Sequence, residues 1–328
     1  MPTPLTDLVL NMQKRSSLAS KLASLLLALL LTTWTMAGCA SVPKAAEGIT
    51  FTDALGREVT VPESPRRVAA LIGSFADIWQ LSGGSLCAAA EDAWEDFGLE
   101  LPDAVNIGGA HSPSIELLLS AEPDLVLASA STAANVQMKD TLESAGIAVA
   151  YFDVDCFADY LHMLDICTDI TGRKDLYQAN GLALQSRIEA VKEAVSIPEE
   201  QRSVLLLRAA SGFVKAKGSS GTILGEMLYD LGCSNIADSD ESLLENLSIE
   251  SILRQEPYRI FVVTMGDDPQ AAMDNLTKMM EENPAWGTLA AGREGRLHIM
   301  DRQLFNLKPN ARWAEAYEFL RTLLTQAP

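Results

Sequence analysis

Histidine is scarce: His111, His162 and His298 are the three in 328 residues, too few and too scattered for an all-histidine metal site. Cysteine is nearly as rare, and Cys87, Cys156, Cys167 and Cys233 form no Cys-x-x-Cys pair, which removes zinc and redox-motif readings. Each lies beside apolar neighbours, and free thiols are expected. Positive charge is short, with 25 Lys and Arg against 44 Asp and Glu for a net of −19. So acidic a surface repels phosphate backbones, and nucleic acid is not an expected partner. Past residue 38 no apolar run approaches membrane-spanning length, which excludes a polytopic membrane protein. There is no Gly-x-Ser-x-Gly elbow, no phosphate-binding loop and no His-Glu-x-x-His. The acids are too many and too dispersed to single out a glycosidase pair. The chain nominates no catalytic residue, no metal ligand and no cofactor, and is not expected to be an enzyme.

What is present begins with an export segment. Lys14, Arg15 and Lys21 precede a largely apolar stretch, Leu22 to Trp34, which runs into Met36-Ala37-Gly38-Cys39. A basic head, a short apolar core and small residues before a cut describe a secretory signal. Cys39 directly after Ala-Gly resembles a bacterial lipobox, in which the cysteine sulfur is acylated and becomes the new N-terminus; Met36 stands where leucine is usual. Residues 1–38 are therefore expected to be removed. Residues 39–65 are expected to form a lipid tether and a β-hairpin, with small polar residues up to Gly48 as the flexible part. The mature chain would work at the outer face of the cell membrane, held by its lipid.

Beyond the tether the pattern divides into two similar halves. Ile49 to Val61 alternates about Leu55-Gly56-Arg57, which predicts the hairpin. Strands are predicted at 67–72, 125–128, 148–152, 204–207, 259–263 and 297–300. Helices are predicted at 75–81, 132–145, 157–170, 222–231, 270–281 and 312–324. Strand–helix alternation of this kind argues for parallel sheets. Between the halves Leu184, Ile188, Val191 and Val195 mark one face of a long helix over 173–195, stopped at Pro198. This predicts an α/β fold: two Rossmann-like βα lobes, 66–172 and 198–328, joined by a single long α-helix at 173–197, with a ligand cleft between them.

An internal repeat supports the two halves. Ser114-Ile115-Glu116-Leu117-Leu118 through Glu122-Pro123 recurs without a gap as Ser248-Ile249-Glu250-Ser251-Ile252 through Glu256-Pro257. Each copy leads into a strand. Two copies are too few for a solenoid.

Together these motifs resemble the class III substrate-binding proteins of ATP-binding-cassette importers for ferric siderophores, haem and cobalamin. The resemblance spans roughly residues 49 to 326. It implies a monomeric, lipid-anchored receptor that hands a metal chelate to a homodimeric or heterodimeric permease with its ATPase. It also implies that Glu116 and Glu250, one per lobe, dock on permease arginines; read as residues alone, both suit the first turn of a helix equally well.

The candidate ligand contacts fall at strand ends. The first lobe offers Phe75, Trp94, His111 and Ser131. The second offers Arg208, Lys215 and Lys217, three cations in ten residues of an otherwise acidic chain, which would focus an anionic ligand. Arg312 and Trp313, in Lys308-Pro309-Asn310-Ala311-Arg312-Trp313, complete the set. The cations favour an anionic ferric siderophore. A corrinoid, haem with His111 as axial ligand, and a surface lipoprotein that binds protein or glycan remain the alternatives.

Overall fold

The computed structural model describes residues 48–266 and 268–326. The export segment 1–38, the acylation residue Cys39 and the tether up to Glu47 lie outside the described residues. The first element is the expected hairpin: β1 (Gly48–Thr52) pairs antiparallel with β2 (Glu58–Pro62). Asp53 builds its turn, accepting from the Leu55 and Arg57 amides at 3.0 and 3.1 Å and from Arg57 Nε at 3.0 Å. Gly56 closes it at φ +74°, a conformation that favours glycine.

The first sheet contains β3 (Val68–Ala70), β4 (Leu86–Ala89), β5 (Val105–Asn106), β6 (Leu125–Ser129) and β7 (Ala148–Phe152) in the spatial order β5-β4-β3-β6-β7, all parallel. The second contains β8 (Ser203–Ala210), β10 (Ser234–Asn235), β11 (Arg259–Thr264) and β12 (Leu297–Ile299) in the order β10-β8-β11-β12, also parallel; β9 (Phe213–Lys217) folds back antiparallel on β8. The central strands β6 and β11 are buried along their whole length, as parallel strands covered on both faces require.

The repeat is realised in the lead-in to each strand. Helix α1 (Ile115–Ser120) and helix α2 (Ile249–Gln255) are each capped by the repeat serine: Ser114 Oγ accepts from the Leu117 amide and Ser248 Oγ from the Ser251 amide, both at 3.3 Å. Each helix is followed by a glutamate in the left-handed region, Glu122 at φ 47° and Glu256 at φ 42°, then proline. The strands that follow, β6 and β11, each pair with the first strand of their sheet.

Between the sheets the chain is helical. After Phe157–Thr171 comes a run from Lys174 to Ala194, with a π-helical turn at Gln178–Leu182. The sequence predicts an unbroken helix there. The π turn forms where Tyr160 Oη donates to the Asn180 carbonyl at 2.8 Å and Asn180 Nδ2 donates to the Leu81 carbonyl at 2.8 Å, so groups freed by the wider turn find partners. The predicted helix at 132–145 is likewise two short pieces, Ala133–Gln137 and Lys139–Ser144. Within the first piece the Asn135 side chain turns inward to accept from the Ser129 amide and donate to the Ala110 carbonyl.

One buried cluster runs from Val68, Leu125 and Phe152 through Leu184, Ile188 and Val191 to Leu206, Phe261 and Leu320. Polar links join the segment after β12 to residues that follow β3 and β4. Arg302 forms an ion pair with Asp96, Gln303 Nε2 donates to the Asp96 carbonyl at 3.0 Å, and buried Asn310 donates to the Ser74 carbonyl at 2.9 Å and to Asp77 at 2.8 Å.

Candidate functional site

The β8–β9 hairpin collects the cations. Arg208 lies opposite Lys215 and Leu206 opposite Lys217, and cross-strand partners share a face of the sheet. Arg208, Lys215 and Lys217 therefore line one face, while Leu205, Leu207, Ala209 and Ala216 point the other way into a second core. Burial lowers the Arg208 pKa, and its Nε finds no partner among the described residues. Lys217 is lowered by burial and then by its neighbours Arg208 and Lys215. Lys215 is exposed and lies over the Phe213 ring at 5.4 Å.

Residues from elsewhere in the chain face this stripe. Burial pulls Lys308 below the usual lysine range, against the pull of Asp155, Asp153 and Asp92. Asp155 is raised, first by burial and then by Asp153, with Lys308 opposing. Asp92 is raised by burial; one carboxylate oxygen accepts from the Gly73 amide at 2.8 Å and the other has no partner among the described residues. Among the described residues none of Asp92, Asp153, Asp155, Arg208, Lys215, Lys217 and Lys308 forms an ion pair within 4.0 Å. Asp153 and Lys215 are exposed and the other five are half-buried, and the unpartnered Arg208 Nε and Asp92 Oδ1 leave hydrogen-bonding capacity for a polar ligand.

A cavity of about 830 Å³ adjoins the stripe, lined by Lys215, Lys217, Ser219, Glu226, Tyr229 and Leu244 among others. That volume suits a small-molecule ligand. Its rim, the Gly218–Thr222 loop, reaches the other half of the molecule: Gly221 sits at φ +71°, and a Cβ there would come within 4.0 Å of Asp155 Oδ2. The cationic hairpin and the acids after β7 thus meet at one junction.

The structure separates the sequence candidates. Arg208, Lys215 and Lys217 come together. Phe75 and Trp313 do not join them: both are fully buried, Phe75 edge-on to Phe152 at 6.1 Å and Trp313 edge-on to Phe157 at 5.8 Å. They are core residues, a correction to the reading that placed them among the ligand contacts. Arg312 is exposed and forks onto Glu315 at 2.7 and 2.8 Å. Trp94 is half-buried and packs on the main core. His111 is exposed in a turn, close enough to Asp92 to favour its ionised form. Ser131 is exposed, its Oγ 3.1 Å from Ser129 Oγ. Glu116 and Glu250 are both exposed in the first turns of α1 and α2.

Lys308, Asp92 and Asp155 were not among the candidate contacts. The signal that could have found Asp155 is its position just past the end of β7, where a polar residue borders any cleft at the strand ends. Among the described residues no group of three or more His, Cys, Asp and Glu side chains is placed to hold a metal ion.

Comparison with known proteins places this geometry in a family. The family described as periplasmic binding protein matches residues 68–304. The putative ABC transporter substrate-binding lipoprotein YhfQ of Bacillus subtilis (strain 168) is 24% identical over 82% of this chain and 85% of its own length. The Fe(3+)-citrate-binding protein YfmC of the same organism is 24% identical over 87% of this chain and 90% of its own. Staphylococcus aureus SirA, solved in complex with staphyloferrin B, superimposes with a TM-score of 0.65 at 17% identity, covering 84% of this chain and 98% of SirA.

Proposed function

Because the chain belongs to the periplasmic binding protein family, we propose that it is a class III substrate-binding protein of an ATP-binding-cassette importer, which captures an anionic ferric chelate outside the cell and delivers it to a permease. The observation that carries the ligand class is the convergence of Arg208, Lys215, Lys217 and Lys308 on one junction of a strongly acidic protein. The relative named for ferric citrate supports the same chemistry. The halves before and after the 174–194 helix act as two lobes with the junction as the ligand cleft. Tryptophan-fluorescence titration with ferric citrate, a ferric tris-catecholate, cobalamin and haemin tests the reading. Binding of an iron chelate is expected, and tight cobalamin binding with no response to either chelate would overturn it.

In the same reading Cys39 carries the lipid, and the exposed pair Glu116 and Glu250 meets arginines on the two permease subunits. Iron uptake checks the docking pair, and cell fractionation checks the anchor. The Glu116→Ala, Glu250→Ala double variant should lose most uptake at unchanged chelate affinity, because both carboxylates are exposed and neither borders the cationic junction. Cys39→Ala should leave the protein unanchored or unprocessed. Normal uptake by the double variant removes the docking assignment.

A further inference from the structure

Arg259 opens β11 and is 3% exposed, and Arg296, just before β12, is 8% exposed. The register of these strands, Ile260 opposite Leu297 and Phe261 opposite His298, puts Arg259, Arg296 and His298 on one face of the sheet. Both guanidinium groups lie over the Tyr258 ring, at 4.7 and 4.0 Å. The three residues line a separate cavity of about 190 Å³ together with Glu294, Leu323 of the last helix and Gln326 just past its end.

The charges in this cavity do not balance. Arg296 forms an ion pair with Glu294, whose side chain is 54% exposed. Arg259 has no carboxylate within 4.0 Å among the described residues. Its hydrogen bonds go to two backbone carbonyls, Gln201 at 3.1 Å and Leu324 at 3.0 Å, which supply dipoles and no counter-charge. A buried cation without a counter-ion is costly. His298 Nε2 is buried and without a partner among the described residues. Burial and the nearby Arg259 lower its pKa, so a neutral ring is available to turn an N–H toward an acceptor.

We propose that this cavity binds a small oxyanion of phosphate or carboxylate type, held by Arg259, Arg296 and His298, which ties the end of the last helix to the sheet. The site is distinct from the ligand junction. Arg208 lies opposite Val263, four residues further along β11 than Arg259, or roughly 13 Å away along the strand.

The test is thermal unfolding in inorganic phosphate against chloride at matched ionic strength. An Arg208→Gln, Lys308→Gln background weakens the junction's own response to phosphate, and a rise that depends on Arg296 is assigned to this cavity. At millimolar affinity, 20 mM phosphate should raise the melting temperature by roughly 2–5 °C. Arg296→Gln should abolish the rise. Gln326→Glu, at the exposed lip of the cavity, should weaken it even if the arginine variant folds poorly. Equal melting temperatures in phosphate and chloride would overturn the proposal, as would a rise that survives Gln326→Glu unchanged. A rise that appears only after residues 327–328 are deleted would mean that the chain's own end fills the cavity, and would also overturn it.

Discussion

Trp313→Ala is expected to cost about 3–5 kcal/mol of stability, the range for deleting a buried large aromatic side chain. The indole is fully buried against Phe157, and alanine would leave a cavity that close-packed neighbours fill only in part. Phe75→Ala should fall in the same range, since it removes the partner of Phe152. Trp313→Phe should be far milder. It keeps an aromatic ring and removes an indole N–H that is buried without a partner among the described residues. Urea unfolding monitored by circular dichroism reads all three. If both residues were cleft walls, alanine would instead lower chelate affinity at nearly constant midpoint, and that pattern would contradict the core assignment.

The second large effect concerns affinity. Arg208→Gln should weaken ferric citrate binding by about 2–4 kcal/mol, or thirty- to a thousandfold, the loss typical of a buried charged partner. Lys308→Gln should act in the same direction, whereas exposed Lys215 should matter less. The acids across the junction predict a pH dependence. Burial raises Asp155 and Asp92 above the ordinary carboxyl range, so they take up protons at a higher pH than free side chains do. Each proton removes a negative charge that faces the chelate, and affinity should strengthen as the pH falls through the range in which these two acids take up protons. Asp155→Asn should bind more tightly at neutral pH and show a flatter pH profile, which separates the protein's titration from that of citrate. Affinity for ferric citrate unmoved by both Arg208→Gln and Lys308→Gln would remove the anionic-chelate reading.

The features legible before any coordinates were those encoded over short stretches of chain. The hairpin about Gly56, the alternation of strands and helices, and the Trp313, Tyr317, Leu320, Leu324 stripe of the last helix all follow from periodicities of two or 3.6 residues. The repeat was legible for the same reason: a serine cap, a short helix, a left-handed glutamate before proline and a strand form a local unit that two similar stretches build twice. The Arg208, Lys215, Lys217 group belongs here too, because a hairpin brings residues within ten positions onto one face.

Tertiary structure decided the rest. Asp96 meets Arg302 and Ser74 meets Asn310 across more than two hundred residues, and no local period encodes such a meeting. The same holds for Lys308 facing Asp92 and Asp155, and for Arg259 beside Arg296. Whether an aromatic residue near a strand end walls a cleft or fills a core depends on what packs over it. Phe75 and Trp313 are covered by Phe152 and Phe157, residues far from either in sequence. Burial then set the protonation behaviour of the junction, since desolvation acts on a carboxyl or ammonium group only once the folded chain has closed around it.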